Sequence, residues 1–146
     1  MTRSAFILIA ALVSGPVLAA DAPYSQAARG VVVVDDAHLP PCNNPGVLRK
    51  ISSAFHDKES EYWNSDLRLQ SFEEPLELGL RPWGPEFIAR RFCQTRVMVS
   101  DGAMRTVYYS VGKDTGTLGI ANGVDWCVTR LDRNLAFSPG CKMAGP

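Results

Sequence analysis

The sequence lacks an excess of charge of either sign. It contains 15 Lys and Arg residues against 15 Asp and Glu residues, so the formal net charge is zero. Electrostatic binding to nucleic acid or to an anionic membrane requires a basic surface, and this composition gives no basis for one. The basic pairs Arg49-Lys50 and Arg90-Arg91 are interpreted as solvated faces. We therefore expect no nucleic-acid partner.

Catalytic motifs are also lacking. The sequence contains no G-x-S-x-G, H-E-x-x-H, Walker or dinucleotide-binding pattern, and it has only two histidines, His38 and His56. On a helix, His56 would share a face with Glu59 or Ser60, but a histidine in a charged run is usually solvated. The carboxylates follow no glycosidase spacing. We expect no catalytic residues, no cofactor and no metal ion, so an enzyme is not favoured.

Long apolar runs are absent after the first twenty residues. Within those residues, Arg3 is the only charge, and a mostly apolar run from Ala5 to Leu18 leads to small side chains. This order predicts a secretory signal peptide over residues 1–19, with cleavage after Ala19 fitting best and cleavage after Ala20 as the alternative. The run is too short to span about 30 Å of hydrocarbon, so we expect no stable membrane insertion after cleavage.

Export places the mature chain in the periplasm or outside a bacterial cell. Residues 20–41 are predicted to form a linker, with a possible short strand at Val31–Val34 because β-branched residues favour strands. Residues 42–146 are predicted to form one domain, since a chain of this length buries one core.

The cysteines show neither the spacing of a zinc site nor a C-x-x-C redox pair. Four are present, Cys42, Cys93, Cys127 and Cys141. An even number in a small exported protein indicates two disulfides, for which three pairings are possible. Closeness in sequence favours Cys127–Cys141, a loop of about 15 residues that contributes roughly 3 kcal/mol in the chain-entropy model. That choice leaves Cys42–Cys93.

One helix is predicted near the start of the domain. Asn44 can cap it, Pro45 suits its first position, and apolar residues then recur at helical spacing to about residue 63. Strands are predicted around residues 67–72, 76–80, 91–99 and 103–111, and a further alternation runs from Leu118 to Val128.

The turn between the third and fourth of these strands can be worked out. A three-residue loop, Ser100-Asp101-Gly102, pairs Val99 with Ala103 and gives Gly102 the left-handed position. The fold class is therefore α+β, an N-terminal helix on a curled antiparallel sheet of four to five strands. The element order is similar to that of cystatin-like and NTF2-like domains, which implies no function.

Aromatic residues are the strongest indication of function. Trp83 lies in a rigid Pro-Gly turn beside Arg81, and alternation places Tyr108 and Tyr109 on opposite faces. Because Trp, Tyr and Arg contribute most at contact surfaces, these four residues are the candidate binding residues. Packing along a sheet edge is the alternative role.

These features predict a non-catalytic binding module for an envelope protein, a glycan or a small ligand. A stress or envelope-structural protein with no ligand of its own is the third interpretation. The alternative to the binding module is a small-ligand carrier or minor enzyme with a pocket between helix and sheet. Filling of that space by Ile51, Phe55 and Trp126 would count against the alternative.

Four segments carry a resemblance: residues 42–48, 92–94, 106–109 and 122–128. Together they resemble a group of small exported bacterial proteins with the same four-cysteine layout and no assigned activity. The resemblance covers about residues 42–141. It implies two disulfides and an extracytoplasmic location, and it implies no ligand.

Overall fold

The structure is a computed structural model, and it describes residues 39–81, 88–119 and 121–146. The predicted signal peptide, most of the predicted linker with its Val31–Val34 strand, and Trp83 lie outside these residues. The structure therefore does not test the predictions made for these residues.

The helix, α1, spans Pro45–Trp63, as the sequence predicts. The side-chain oxygen of Asn44 accepts hydrogen bonds from the main-chain nitrogens of Gly46, at 2.8 Å, and Val47, at 3.2 Å. These bonds satisfy amides that would otherwise lack a partner in the first turn. The helix ends at Asn64, whose left-handed backbone, at φ 47°, stops further propagation.

Five antiparallel strands within the described residues form one sheet. They are β1 Leu69–Phe72, β2 Leu76–Arg81, β3 Arg90–Val99, β4 Met104–Gly112 and β5 Gly123–Val128. β4 lies between β3 and β5, while β1 and β2 both pair with β3 along its other edge. The α+β class is confirmed. The cystatin-like or NTF2-like element order remains a prediction.

The β3–β4 hairpin has the predicted three-residue loop. The main-chain nitrogen of Val99 donates to the carbonyl of Ala103 at 3.1 Å, and Met98 pairs with Met104. Gly102 has φ 81°, the left-handed conformation that this loop requires. The loop length fixes the register of the whole hairpin, because a shift of one residue would turn every side chain to the other face.

One face of the sheet, which we call the inner face, packs against α1. Its buried residues are Cys93, Thr95, Val97, Val99, Val107, Tyr109, Val111 and Val128. The helix contributes a stripe of buried residues at intervals of four, Val47, Ile51, Phe55 and Glu59. The opposite face, the outer face, carries Gln94, Arg96, Thr106 and Tyr108.

The predicted alternation from Leu118 is wrong at its start. Residues Thr117–Gly119 form a 3-10 turn, and Leu118 has a positive φ and is 88% exposed. Turn chemistry overrides the apolar pattern here, because Gly119 also takes a left-handed conformation, at φ 69°. β5 begins only at Gly123, whose nitrogen donates to the Thr115 hydroxyl at 3.1 Å.

The chain after β5 returns across the outer face. Cys141 is bonded to Cys127 on β5, and the short 3-10 helix Lys142–Ala144 contacts β4 and β5. A Cβ atom added at Gly79 on β2 would lie 3.9 Å from the Cβ atom of Pro146. The C-terminal segment therefore reaches from one side of the sheet to the other.

Candidate functional site

The two disulfides have the pairing that closeness in sequence favours. Cys42 is bonded to Cys93 and Cys127 to Cys141, with Cα–Cα distances of 5.8 and 5.6 Å. No described cysteine is free, so thiol chemistry has no residue to act on in the described part of the chain. Two disulfides in a small domain indicate an oxidising, extracytoplasmic environment.

Of the two neighbouring tyrosines, Tyr109 belongs to the core. It is fully buried on the inner face, and its hydroxyl donates to the main-chain carbonyl of Cys42 at 2.6 Å. Burial, with a smaller contribution from the carboxylate of Glu74, raises the pKa of Tyr109 above its usual value of 10.0. A residue without exposed surface cannot contact a partner, so Tyr109 takes no part in the site.

Tyr108 faces the other way and is only partly buried. On the outer face it lies in a row that crosses the sheet, because Leu76 pairs with Gln94, Gln94 with Tyr108 and Tyr108 with Cys127. Side chains paired in this way lie about 5 Å apart on the same face. The row therefore presents an aliphatic, an amide and an aromatic side chain side by side.

A groove of about 310 Å³ opens beside this row. It lies between the outer face of β3 and β4 and the loop that joins β1 to β2. Its lining residues are Glu73, Glu74, Leu76, Gln94, Thr95, Arg96, Thr106 and Tyr108. This groove is the candidate functional site.

Several polar side-chain groups in the groove have no hydrogen-bond partner among the described residues. Among the described residues, nothing is hydrogen-bonded to the side-chain amide of Gln94 or to the hydroxyls of Thr106 and Tyr108. These three side chains can donate and accept hydrogen bonds. A ligand could bind them without breaking any hydrogen bond that these side chains make within the described part of the chain.

The charged groups of the groove are partly neutralised. The guanidinium of Arg96 lies 3.7 Å from the carboxylate of Glu73, and both side chains are more than half exposed. The carboxylate of Glu74 accepts a long hydrogen bond, 3.5 Å, from the amide of Asn43. Two carboxylates and one guanidinium leave the groove with one net negative charge.

The rim of the groove is fixed by the backbone. The nitrogen of Glu73 donates to the carbonyl of Arg96 at 2.8 Å, and the Thr95 hydroxyl donates to the carbonyl of Glu73 at 2.8 Å. These bonds hold the loop between β1 and β2 against β3. A rim ordered in advance lowers the entropic cost of binding.

The side chain of Tyr108 is in contact with the C-terminal segment. It packs against a buried cluster formed by Cys127, Cys141 and Ala144, with Phe137 beside it. The Cys127–Cys141 bond therefore fixes the chain that backs the aromatic wall of the groove.

Arg81 shares the outer face but lies away from the groove. It is the last residue of β2 and its guanidinium lies 5.4 Å from the ring centre of Phe92. Leu76, at the groove, is five residues earlier on the same strand, roughly 16 Å away. The structure thus places Arg81 and Tyr108 on one face without bringing them together.

The space between helix and sheet is filled. Ile51 and Phe55 are buried completely or nearly so, and Phe55 meets Trp126 edge to face at 5.9 Å between ring centres. Tyr109 belongs to the same buried cluster as Ile51 and Phe55. This packing argues against a ligand pocket between α1 and the sheet.

Other chemistry is not indicated in the described parts of the chain. There, no group of three or more His, Cys, Asp or Glu side chains could hold a metal ion. His56 lies 3.4 Å from the carbonyl of Leu67, outside the groove. Within residues 39–81, 88–119 and 121–146, no helix is long and apolar enough to cross a membrane.

Comparison with known proteins adds no relative. No protein-family model, no curated protein and no solved structure matches this chain. The resemblance to small exported four-cysteine proteins stays a prediction.

The sequence indicated Tyr108 but not its neighbours in the groove. Gln94 and Thr106 follow from the hairpin register, since strand positions that alternate with the core set must share the outer face with Tyr108. Glu73, Glu74 and Leu76 do not follow from it. They depend on how β1 and β2 both dock on β3, which no local pattern specifies.

Proposed function

We propose that this chain is an exported bacterial protein, periplasmic or secreted, that acts as a non-catalytic binding module through the groove on its outer face. One observation carries the proposal. Tyr108 lines that groove, supported by the disulfide-tied C-terminal segment, beside polar side chains that have no partner among the described residues. A supported aromatic ring next to free donors and acceptors is typical of a contact site.

Export is supported by two independent features. The first residues have the order of a secretory signal peptide, and the two disulfides of the domain suit an oxidising compartment. A glycan, an envelope protein or a small ligand of that compartment would meet the groove.

A binding role is supported over catalysis by the chemistry of the groove. The groove's lining includes no histidine and no cysteine among the residues that the structure describes, and the Glu73 carboxylate lies beside Arg96. Amide and hydroxyl groups such as those of Gln94 and Thr106 orient a ligand but do not serve as general bases near neutral pH. The carrier alternative, with a pocket between helix and sheet, has no supporting observation because that space is filled.

A capture experiment tests the proposal. Immobilised mature protein is incubated with bacterial envelope extract, and retained protein and carbohydrate are quantified for the wild type and for Tyr108→Ala. Removal of an aromatic residue central to a contact costs about 2 kcal/mol or more, so retention should fall more than tenfold. Tyr62→Ala is the matched control, because Tyr62 is 67% exposed on α1, away from the groove.

Equal retention by the wild type and Tyr108→Ala would contradict the proposal. The unfolding midpoints of both variants are measured alongside, so that loss of retention is counted only for a folded protein. A fall with Tyr62→Ala as large as with Tyr108→Ala would also count against the groove.

A further inference from the structure

We propose that the occupant of the groove is an uncharged saccharide unit, with one face of a sugar ring stacked on Tyr108. This inference rests on the proposed function and names the class of ligand that the same groove would take. It follows from the charge of the groove, the polarity of its lining, the position of the aromatic ring and the available volume.

The charges of the groove disfavour an anionic ligand. Among the described lining residues, Glu73 and Glu74 contribute two carboxylates, and the single guanidinium, that of Arg96, already lies 3.7 Å from Glu73. A phosphate, sulfate or carboxylate would enter an environment in which the described residues carry one net negative charge, and it would compete with Glu73 for the guanidinium of Arg96. A nucleotide or an acidic peptide therefore does not match this site.

The lining also disfavours a purely apolar ligand. Leu76 and the ring of Tyr108 are its main apolar surfaces, while Gln94 and Thr106 bring polar groups without a partner among the described residues. An apolar ligand would cover these groups and leave them unsatisfied, at a cost of about 1–3 kcal/mol for each buried group.

Sugar hydroxyls match this set of groups. Each hydroxyl both donates and accepts, which suits the Gln94 amide and the hydroxyls of Thr106 and Tyr108. Carboxylates such as that of Glu74 can accept two hydrogen bonds from neighbouring hydroxyls of one ring. The groove thus offers acceptors, donors and groups that do both, as a neutral polyhydroxylated ligand requires.

The aromatic ring supplies the remaining contact. One face of a pyranose ring is lined with C–H groups, and such a face packs on the negative π surface of an aromatic ring. Tyr108 is partly exposed at the groove and held by the cluster of Cys127, Cys141 and Ala144. A fixed ring loses little entropy when it is covered.

The volume sets the size of the unit. About 310 Å³ lies at the lower limit of small-molecule sites, which range from about 300 to 1,000 Å³. The groove therefore holds a monosaccharide or disaccharide unit, and an opening to solvent allows a longer chain to continue beyond it. Affinity in the millimolar to micromolar range is expected for such a shallow site.

A titration followed by two-dimensional amide NMR tests the inference. Chitotetraose, cellotetraose and maltotetraose are the saccharide probes, and inorganic phosphate and a tetralysine peptide are the charged probes. At least one saccharide should give saturable amide shifts confined to residues 73, 74, 76, 94–96 and 106–108. These shifts should persist in high salt, because a neutral ligand makes no screened ion pair.

Variants separate the contributions. Tyr108→Ala should weaken saccharide binding at least tenfold, whereas Tyr108→Phe keeps the ring and should stay within about threefold. Gln94→Ala should weaken binding several-fold through the lost amide hydrogen bonds. Tyr62→Ala should leave the titration unchanged.

Two results would overturn the inference. One is the absence of groove shifts with all three saccharides at millimolar concentrations, and the other is tighter, salt-sensitive binding of the peptide or phosphate at the same residues. If Tyr108-dependent capture from envelope extract persists in either case, the proposed binding function stands and only the ligand class is wrong. If that capture is also independent of Tyr108, both fail.

Discussion

The hydroxyl of Tyr109 donates a hydrogen bond to the main-chain carbonyl of Cys42 across 2.6 Å. Cys42 is bonded to Cys93, and Cys93 is the residue that pairs with Tyr109 between β3 and β4. A covalent bond and a buried hydrogen bond therefore join the start of α1 to the same place on the sheet. This double attachment sets where the helix begins to cross the inner face.

The two neighbouring tyrosines should respond differently to loss of the hydroxyl. Tyr109→Phe leaves the Cys42 carbonyl without its donor in the core and should lower the free energy of unfolding by about 2 kcal/mol. Tyr108→Phe, on the outer face, removes a hydroxyl that has no partner among the described residues. It should change the free energy of unfolding by less than about 0.5 kcal/mol. Urea unfolding of both variants measures the difference, and equal midpoints would contradict the assigned faces.

The two disulfides should also differ in their effects. Cys42–Cys93 closes a sequence separation of 51 and Cys127–Cys141 one of 14. The chain-entropy model gives about 4 kcal/mol for the first bond and about 3 kcal/mol for the second. Replacing both cysteines of a pair by Ala and measuring urea unfolding compares the two bonds directly.

Loss of Cys127–Cys141 should have a second consequence that loss of Cys42–Cys93 lacks. The bond fixes the segment that backs Tyr108, so retention in the capture experiment should fall even where the domain stays folded. If the Cys127→Ala/Cys141→Ala variant keeps wild-type retention, the disulfide does not support the groove. The Cys42→Ala/Cys93→Ala variant, measured below its unfolding transition, is the control.

Local chemistry explains which elements could be predicted. Asn44 and Pro45 specify the start of α1, and Gly102 specifies the three-residue loop of the β3–β4 hairpin. Both signals act within a few residues of where the structure forms. The same local reasoning placed Tyr108 and Tyr109 on opposite faces.

Non-local pairing explains what could not be predicted. The hydrogen bond from the Glu73 nitrogen to the Arg96 carbonyl joins the loop after β1 to β3, and this contact depends on how the strands dock in the whole sheet. The apolar alternation wrongly predicted the start of a strand at Leu118, because Gly119 permits a left-handed turn that an alternating pattern does not reveal. The loop between β1 and β2 that forms the rim of the groove, and the start of β5, could therefore be located only in the structure.

A buried carboxylate on α1 leads to a third prediction. Glu59 is 2% exposed, and its side chain accepts a hydrogen bond of 2.9 Å from Arg133 in the C-terminal segment. Arg133→Ala removes this partner and leaves the buried Glu59 carboxylate without the Arg133 guanidinium. The free energy of unfolding should therefore fall by about 3 kcal/mol. Lys58→Ala is the matched control, since Lys58 joins the same helix to the same segment through an exposed contact with Asn134.

A double replacement separates pairing from simple packing. Glu59→Leu combined with Arg133→Ala removes the buried charge together with its partner, and it should recover most of the stability lost in Arg133→Ala. Equal losses in the single and double variants would mean that Arg133 stabilises by another contact, such as its cation–π contact with Trp63 at 5.5 Å.

The turn between β3 and β4 should make stability depend on pH in the acid range. Arg105 donates to both carboxylate oxygens of Asp101, at 2.8 and 2.7 Å, and the Ala103 nitrogen donates to one of them at 3.0 Å. The side-chain hydrogen bonds from Arg105, followed by that from Ala103, lower the pKa of Asp101 from 3.8 to about 2. The unfolded chain therefore binds a proton at a higher pH than the folded one.

The sign of the effect follows from this order. The contribution of Asp101 is complete above pH 3.8 and is lost as the pH falls through about 2. In Asp101→Asn no carboxylate titrates at this position, so the stability difference between wild type and variant should shrink between about pH 4 and pH 2. Arg105→Gln removes the main cause of the lowered Asp101 pKa. The stability difference between wild type and this variant should therefore also shrink between about pH 4 and pH 2. Urea midpoints measured across this range test the expectation, and parallel curves for wild type and both variants would show that the Asp101–Arg105 pair does not form in solution.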